Sequence, residues 1–445
     1  MISMKTIRGK VSLLASCADI ALSLALFVYP AVVILAAMLD PALRSTGESR
    51  WLPRAFASAS RRYAAWAETY LETNYAKALH HDDVAATEWP MFGSVFLLVT
   101  ADDLQTRGRV DATKGAMREA VDRAAAIVAS PTTATWVRTK WGDDAYLSTE
   151  NVFYRMLLIL GLSSYESITG DAKHHDLMSR QRSTLAEELA AAPFHVLDDY
   201  PGECYPTDVL WAVAAIQRAA KLDDANHDDL AAALMASLDG PLHDELGLPA
   251  FYVDSRLGRI FQTSRGCGNS GILSFAAELD PLIAARWYQA YEKHFWKQSW
   301  WAVGFMEHPR GSDWRGGDVD SGPVVAEFGS VASAFGIGAA KTVGRHDHAA
   351  PLTLQAIACS WPTPFGPLVP GVMGTLAVES WSLGEVALLF SMSRPTRTGQ
   401  TAPYEGVAPP LVWFFLFGYG GLGAWFIWRA IRRIRRLRER GAFAA

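Results

Sequence analysis

Acidic side chains are concentrated in two segments that are rich in glycine, proline and aromatic residues. Glu203 and Asp208 lie in the segment DDYPGECYPTD, and Asp318 and Asp320 lie in the segment GGDVDSGP. Cleavage of a glycosidic bond needs two carboxyl groups, one protonated as the acid and one ionised as the base or nucleophile. The sequence therefore predicts Asp208 and Asp320 as the first catalytic pair, with Glu203 and Asp318 as substitutes.

A purely structural role is the alternative for the same acids. Asp208, or Thr207 beside it, can cap the helix that begins at this point. Asp320 is followed by Ser-Gly, which is an ordinary turn signal. Both interpretations remain open at the level of the sequence.

Aromatic and basic side chains in Gly- and Pro-rich segments provide candidate substrate contacts. Aromatic faces stack on sugar rings or pack helix ends. Arginines in such loops bind carboxylate or phosphate groups, or they pair with neighbouring acids. The predicted substrate contacts of these two kinds are Trp89, Tyr200, Tyr205, Trp314, Arg265 and Arg310.

The chain has 4 cysteines, of which Cys204 and Cys267 lie in two of these segments. Outside the cytoplasm they could form a disulfide, and otherwise they are inert thiols. No cysteine pair has the spacing of a metal site, and no nucleotide-binding, metalloprotease or serine-hydrolase motif stands in a fitting context. The sequence therefore predicts no metal and no cofactor.

Uncharged apolar runs occupy both ends of the chain. Ile20–Leu39 follows a basic N-terminus, and Leu411–Trp428 precedes an Arg-rich tail. The first run is long enough to cross the ~30 Å core of a bilayer, and the second is slightly short of that length. Basic residues outside both runs predict that both termini are cytoplasmic. A cleaved signal peptide is the alternative for the first run, and a nucleic-acid patch is the alternative for the tail.

The predicted organisation follows from these ends. The segments are a cytoplasmic N-terminus (1–10), a membrane anchor (11–39), an extracytoplasmic domain (40–400), a second membrane helix (409–428) and a cytoplasmic tail (429–445). The formal net charge is −5 although both ends are basic, so the middle of the chain is strongly acidic. This charge argues against nucleic acid as a partner.

The middle of the chain has the apolar spacing of helices, and alternation typical of strands is scarce. About eleven or twelve helices fit between Trp51 and Met392. They are joined by loops such as Glu88–Gly93, which the aromatic and proline content predicts to be irregular. The sequence therefore predicts an all-α domain in which helix pairs close into an (α/α)6 toroid, with an irregular bundle as the alternative.

Several segments resemble known proteins. The segment YLSTENVFYRMLLILGLSSYESITGDAKHHD resembles the Asn-x-x-Tyr helix of linalool dehydratase/isomerase-like proteins, and ECYPTDVLWAVAAI is similar to their Cys-containing loop. The segments SRGCGNSGILSFAAELDP and GDVDSGPVVAEFGSVASAFGIGAA resemble loops of bacterial six-hairpin proteins, a group that includes many glycoside hydrolases. The resemblance implies an (α/α)6 toroid with a pocket at one mouth.

The resemblance also implies roles for individual residues. Asn151 and Tyr154 fall on positions that matter in the dehydratase/isomerase pattern, and Cys204 falls on a catalytic thiol. Leu157 stands where the pattern has a histidine, and Val213 stands where it has a second cysteine. The family uses those two groups for proton transfer.

Three functions are therefore weighed. The first is an outward-facing, membrane-anchored enzyme that cleaves a glycosidic bond in an envelope or extracellular glycan. The second is a lyase or isomerase that resembles linalool dehydratase/isomerase and acts on a small alcohol in a narrow apolar pocket. The third is a glycan-binding envelope component without catalytic activity.

Overall fold

The structure is a computed structural model that describes residues 4–78, 87–143, 145–369 and 383–439. Helices make up 64% of it, which confirms the mostly helical class predicted from the sequence. The prediction of an all-α fold needs one correction, because four short two-stranded antiparallel sheets accompany the helices. Their hydrogen bonds order the long loops between helices.

The helices are numbered here in chain order. They are α1 (Met4–Ser23), α2 (Tyr29–Met38), α3 (Pro41–Thr46), α4 (Leu52–Glu72), α5 (Trp89–Thr106), α6 (Gly115–Ala129), α7 (Thr135–Trp141), α8 (Val152–Thr169), α9 (His175–Ala191), α10 (Pro206–Ala220), α11 (Asp228–Leu238), α12 (Gly266–Leu279), α13 (Pro281–Phe295), α14 (Ser330–Thr342), α15 (His346–Cys359), α16 (Leu383–Ser393) and α17 (Pro410–Glu439).

The strands pair as hairpins. They are β1 (Tyr252–Val253) with β2 (Ile260–Gln262), β3 (Trp296–Gln298) with β4 (Val303–Phe305), β5 (Val324–Val325) with β6 (Phe328–Gly329), and β7 (Pro362–Thr363) with β8 (Gly366–Pro367).

Two helical segments are long and apolar enough to cross a membrane, namely Val11–Met38 and Pro410–Glu439. They pack side by side in opposite directions: Asp19 forms an ion pair with Arg433 at 3.0 Å, and the rings of Phe27 and Phe426 lie 5.4 Å apart. Helix α17 continues through most of the Arg-rich tail, so the second apolar run and the basic segment form one helix instead of ending at residue 428.

The first apolar segment contains a turn of π-helix, Leu24–Val28, between α1 and α2. Pro30 follows this turn and has no N–H to donate to the carbonyl of Leu26. The indole Nε1 of Trp361 donates to that carbonyl at 2.6 Å instead. An unpaired backbone carbonyl away from water is unfavourable, and the body of the protein supplies the hydrogen bond that the helix loses.

Six helices form the centre of the body: α5, α8, α10, α12, α14 and α16. Each packs against the next in this order, and α16 packs against α5. The helices α4, α6, α9, α11, α13 and α15 lie outside them, each against at least one central helix.

Contacts between neighbouring central helices join their N-terminal ends. Thr207 at the start of α10 donates to the carbonyl of Gly268 at the start of α12 at 3.3 Å. Gly93 in the first turn of α5 lies against Leu383, the first residue of α16. The N-terminal ends of these helices therefore lie at one end of the body, which we call the N-terminal end.

The opposite end of the central helices is held by a buried ion network. Arg394, whose side chain is fully buried, donates to Asp103 at 2.7 Å and also to Glu278. Arg218 donates to the same two carboxylates at 3.3 and 2.7 Å. The guanidinium groups of Arg218 on α10 and of Arg394, directly after α16, thus neutralise one carboxylate on α5 and one on α12, which links these central helices.

We expect the Arg394→Leu variant to lose about 3 kcal/mol of unfolding free energy, because it removes the fully buried cation that Asp103 and Glu278 share. Thermal or denaturant unfolding of the full chain in detergent measures this loss. The matched control is Arg397→Leu: Arg397 is 38% exposed, lies 3.4 Å from the same Glu278, and should cost less than about 1 kcal/mol. Equal losses in the two variants would contradict the assigned role.

Candidate functional site

The carboxyl groups predicted to be catalytic occupy the N-terminal end of the body. Asp208 lies in the first turn of α10, and Asp320 lies in the loop that precedes β5. Glu88 immediately precedes α5 and joins them. The side chains of Asp208 and Glu88 are half-buried, and that of Asp320 is exposed, so the group opens to the surface.

The three carboxyl groups act on one another electrostatically. Burial, and then the charges of Asp320 and Glu88, raise the pKa of Asp208 to about 8. Burial also raises the pKa of Glu88 to about 7, and the charge of Asp320 adds to this effect. Partial removal of the Asp320 carboxyl group from water, and then the charge of Asp318, raise the pKa of Asp320, although its side chain still reaches solvent. Asp208 therefore keeps a proton at neutral pH, which is the state of a general acid.

Tyr200 supports the carboxyl group of Glu88. Its hydroxyl donates a hydrogen bond to Glu88 Oε1, and burial together with the charge of Glu88 raises the pKa of Tyr200 far above its ordinary value. Tyr200 is therefore a hydrogen-bond donor at any accessible pH. The structure thus places Tyr200 against Glu88, and its predicted role as a substrate contact stays a prediction.

Asp318 is held differently from Asp320, two residues away. Arg265 donates two hydrogen bonds to Asp318, at 2.7 and 3.0 Å. Burial alone would raise the pKa of Asp318, but these bonds and those of Ser321 lower it to about 2. Asp318 is thus a permanently ionised anchor for Arg265, and it is less suited than Asp320 to exchange protons.

Arg265 also binds Glu307, which is fully buried at the start of the loop between β4 and β5. Its Nε donates to Glu307 Oε1 at 3.0 Å, and the thiol of Cys267 donates to the same oxygen at 3.1 Å. Of the two roles predicted for Arg265, the structure contains pairing with neighbouring acids. The guanidinium of Arg265 thus fixes the loop that carries Asp318 and Asp320 to the start of α12.

Glu203 lies at the exposed edge of the group. Its carboxylate accepts a hydrogen bond from the Tyr205 hydroxyl at 3.4 Å, and its charge adds to the raised pKa of Glu88. Tyr205 itself stacks on Tyr252 with ring centres 5.3 Å apart. Glu203 is therefore near the cluster but more hydrated than Asp208.

Aromatic rings fill the space between the central helices below the carboxyl groups. Phe92 contacts Phe96 and Trp211, with ring centres 4.3 and 6.2 Å apart, and Phe335 lies 5.6 Å from Phe96. Phe92 and Phe335 are only half-buried, whereas Phe96 and Trp211 are buried. Phe92 follows Glu88 by one helical turn, and Trp211 follows Asp208 by one turn of α10, so these rings lie on the same sides of their helices as the two acids.

Cys204 and Cys267 are both free thiols in the structure, so the disulfide considered from the sequence is not formed. Cys204 is fully buried, and burial together with the charges of Asp199 and Asp198 raises its pKa well above the ordinary value. A thiol with a raised pKa is a poor nucleophile or base at neutral pH. The structure therefore gives Cys204 the properties of an inert core thiol.

Asn151 and Tyr154 are also buried. Asn151 donates its amide to the carbonyl of Tyr146 at 2.7 Å. Tyr154 packs between Trp136 and Tyr146, with ring centres 6.1 and 5.8 Å away. On the same helix, Phe153 is the residue that contacts Phe92. Asn151, Tyr154 and Cys204 thus do not line an open pocket.

Arg310 and Trp314 lie at a different place from the acids. They line a small cavity of about 40 Å³ between their own loop and the β5–β6 hairpin. Arg310 donates to the carbonyl of Trp296, and Trp314 is 66% exposed. Trp89 is half-buried in the first turn of α5, directly after Glu88. Of this group, only Trp89 adjoins a member of the carboxyl cluster in sequence.

Glu88 is the member of the cluster that sequence reasoning missed. Its segment was predicted to be a loop, but Trp89 begins α5 with Pro90 in the first turn. Proline in a first turn is a helix-start signal that could have placed Glu88 at the N-terminal end. Within the described ranges, no group of three or more His, Cys, Asp or Glu side chains is arranged to hold a metal ion.

The site and fold define a mostly helical protein with two apolar terminal helices and a cluster of carboxyl groups. No family model matches the chain, and no curated protein matches it in sequence. Its function is therefore argued from the site.

Proposed function

We propose that the protein is a membrane-anchored enzyme that cleaves a glycosidic bond by paired carboxyl groups. Asp208 is the general acid that protonates the leaving oxygen, and Asp320 is the base or nucleophile. The observation that carries the proposal is the raised pKa of Asp208, about 8, in a half-buried carboxyl group that shares its surroundings with Asp320. An acid that stays protonated at neutral pH beside a second, more exposed carboxyl group is the arrangement this reaction needs.

Glu88 and the aromatic surface have supporting roles in this proposal. The negative charge of Glu88 raises the pKa of Asp208 and so helps it to keep its proton. Phe92, one helical turn after Glu88, and Phe335, which packs on Phe96, are half-buried and offer faces on which a sugar ring can stack.

The proposed architecture is the (α/α)6 toroid that the resemblance implies. The order in which the central helices contact one another, from α5 through α16 and back to α5, supports a closed ring. Their shared N-terminal end would then form the mouth. The proposed location of the body is outside the cytoplasm with both termini inside, which the basic ends of the chain support.

A dehydratase/isomerase-like reaction on a small alcohol is the second candidate. The half-buried Phe92 and Phe335 favour it, because an apolar surface beside a protonated carboxyl group suits loss of water from a small alcohol. The buried positions of Asn151, Tyr154 and Cys204 do not support the roles that the resemblance gives them in that reaction.

The full-length protein in nanodiscs should be incubated with oligosaccharides, glycolipids and terpenols, and the products analysed. We expect new reducing ends, and we expect Cys204→Ala to keep its kcat because its thiol is buried and protonated. Cys359→Ala is the matched control for loss of a thiol. Alkene products together with loss of activity in Cys204→Ala would establish the second candidate. Glycan binding without turnover would establish a non-catalytic glycan-binding component.

A further inference from the structure

One side of the body is covered by the apolar terminal helices. Helix α2 and the first part of α17 pack against α15. Ile34 and Val412 are fully buried there, and Tyr419 donates to the carbonyl of Ala358 at 3.3 Å. The apolar pair is therefore attached along the flank of the body and does not meet it at a single point.

The direction of α2 along this flank is fixed by contacts at both ends of α15. Leu26 accepts a hydrogen bond from Trp361, which follows the C-terminus of α15, whereas Gly47 lies against His346 at its N-terminus. Trp361 leads into the β7–β8 hairpin, where the carbonyl of Phe365 binds Arg62, and Arg62 binds Glu385 at the start of α16. Leu26 therefore lies beside the N-terminal end of the body.

Two consequences follow for the apolar pair. Residues before Leu26, and their partners on α17, extend beyond the N-terminal end, which is the end that carries Asp208 and Asp320. At the same time, large apolar side chains are exposed along the part that lies beside the body: Val32 by 57%, Leu39 by 71% and Phe414 by 70%. A bilayer that covers these residues must also reach the flank of the body.

The thickness of the bilayer also indicates that lipid reaches the body. A hydrocarbon core of ~30 Å corresponds to about 20 helical residues, which is the whole uncharged run Ile20–Leu39. Since the body begins at the level of Leu26, a bilayer that covers this whole run reaches the N-terminal end and continues along the flank.

Large apolar side chains are also exposed at the N-terminal end. Phe365, at the tip of the β7–β8 hairpin, is 75% exposed, and Val369 is 41% exposed. Val319, between Asp318 and Asp320, is 54% exposed, and Val325, in β5, is 57% exposed. Exposed apolar groups next to a membrane segment are typical of a lipid contact.

We propose that the N-terminal end of the body lies against the bilayer, with Phe365 and Val369 in the lipid, so that the carboxyl cluster receives an amphiphilic substrate from the membrane. The inference rests on membrane anchoring by the terminal helices. Under the proposed function, it names the substrate class as a glycoside attached to a lipid. The acidic charge of the body makes apolar insertion, not attraction to anionic headgroups, the source of this contact.

Depth-dependent fluorescence quenching tests the arrangement. The full chain carrying Cys17→Ser is given one environment-sensitive label, at Phe365→Cys, Leu282→Cys or Val32→Cys, and reconstituted in phosphatidylcholine vesicles with nitroxide-labelled lipid. Leu282 is 81% exposed in the first turn of α13, at the opposite end of the body, and is the matched control. Val32→Cys reports lipid contact of the anchor itself. The labelled Cys17→Ser parent gives the background.

We expect the labels at Phe365→Cys and Val32→Cys to lose most of their fluorescence to the lipid nitroxide and to be protected from aqueous iodide. The label at Leu282→Cys should behave in the opposite way. Quenching at Val32→Cys but not at Phe365→Cys would overturn the proposal. Because the readout is position and not turnover, the same result is expected in Asp208→Asn protein. Failure of the proposed function is therefore distinguishable from failure of this inference.

Discussion

Replacement of Asp208 by asparagine is expected to lower kcat by about 10²- to 10⁴-fold, the range lost when a general acid is removed. The amide has nearly the shape of the carboxylic acid but cannot release a proton to a leaving oxygen. The half-buried position and raised pKa of Asp208 make it the donor that is protonated at pH 7. The measurement is kcat at pH 7 on the substrate identified with full-length protein.

Asp313→Asn is the matched control for this variant. Asp313 is exposed in the same loop as Asp320, and it is absent from the charges that act on Asp208. We expect its kcat to be unchanged and both variants to keep their helical circular dichroism. An Asp208→Asn enzyme that turns over at the parental rate would refute the assignment of the acid.

Replacement of Asp320 by asparagine is expected to give a loss of about 10²-fold or more, because the second carboxyl group supplies the base or nucleophile. It should also change the pH dependence of the residual activity. The charge of Asp320 raises the pKa of Asp208, so its removal lowers that pKa, and the fall in activity on the alkaline side moves to lower pH.

The pH–rate profile of kcat/KM measures this shift. In the parent, activity should decline as pH rises through about 8, where Asp208 loses its proton. Glu88→Gln should move the decline in the same direction while leaving more activity, because Glu88 acts on Asp208 without being the base. An alkaline limb at the same pH in parent and both variants would show that the three groups are not coupled.

The acids at the site could be predicted because local chemistry and helix geometry agree. Asp208 and Trp211 are three residues apart in α10, so they share one face of the helix. The apolar ring of Trp211, which is buried among the central helices, therefore directs Asp208 toward the same centre. Asp320 was chosen from its Gly-rich loop, and the structure places it where its charge acts on Asp208, while its catalytic role stays a prediction.

Glu88 could not be found by periodicity. Helix α5 is buried around most of its circumference, from Met91 to Leu104, so its sequence lacks the apolar stripe that marks a surface helix. The side-chain positions implied by the resemblance could not be predicted for a different reason. The pattern of residues 151–154 indicates a helix, but the direction of the Tyr154 side chain depends on Trp136 and Tyr146, which belong to other segments of the chain.

The two apolar terminal helices were predictable from composition alone, since uncharged length can be read directly from the sequence. Their contact with the body was not. The hydrogen bond from Trp361 to Leu26 joins residues more than three hundred positions apart, and its need arises from the missing N–H of Pro30.

This contact has a consequence for handling the protein. If residues 45–400 were expressed alone, the side of α15 that packs on the terminal helices would become an exposed apolar surface, because Ile34, Met38 and Val412 would no longer cover it. The terminal helices thus cover part of the body's apolar surface, and we expect a fragment without them to self-associate. Generic anchors spliced on in their place would restore tethering but not this cover.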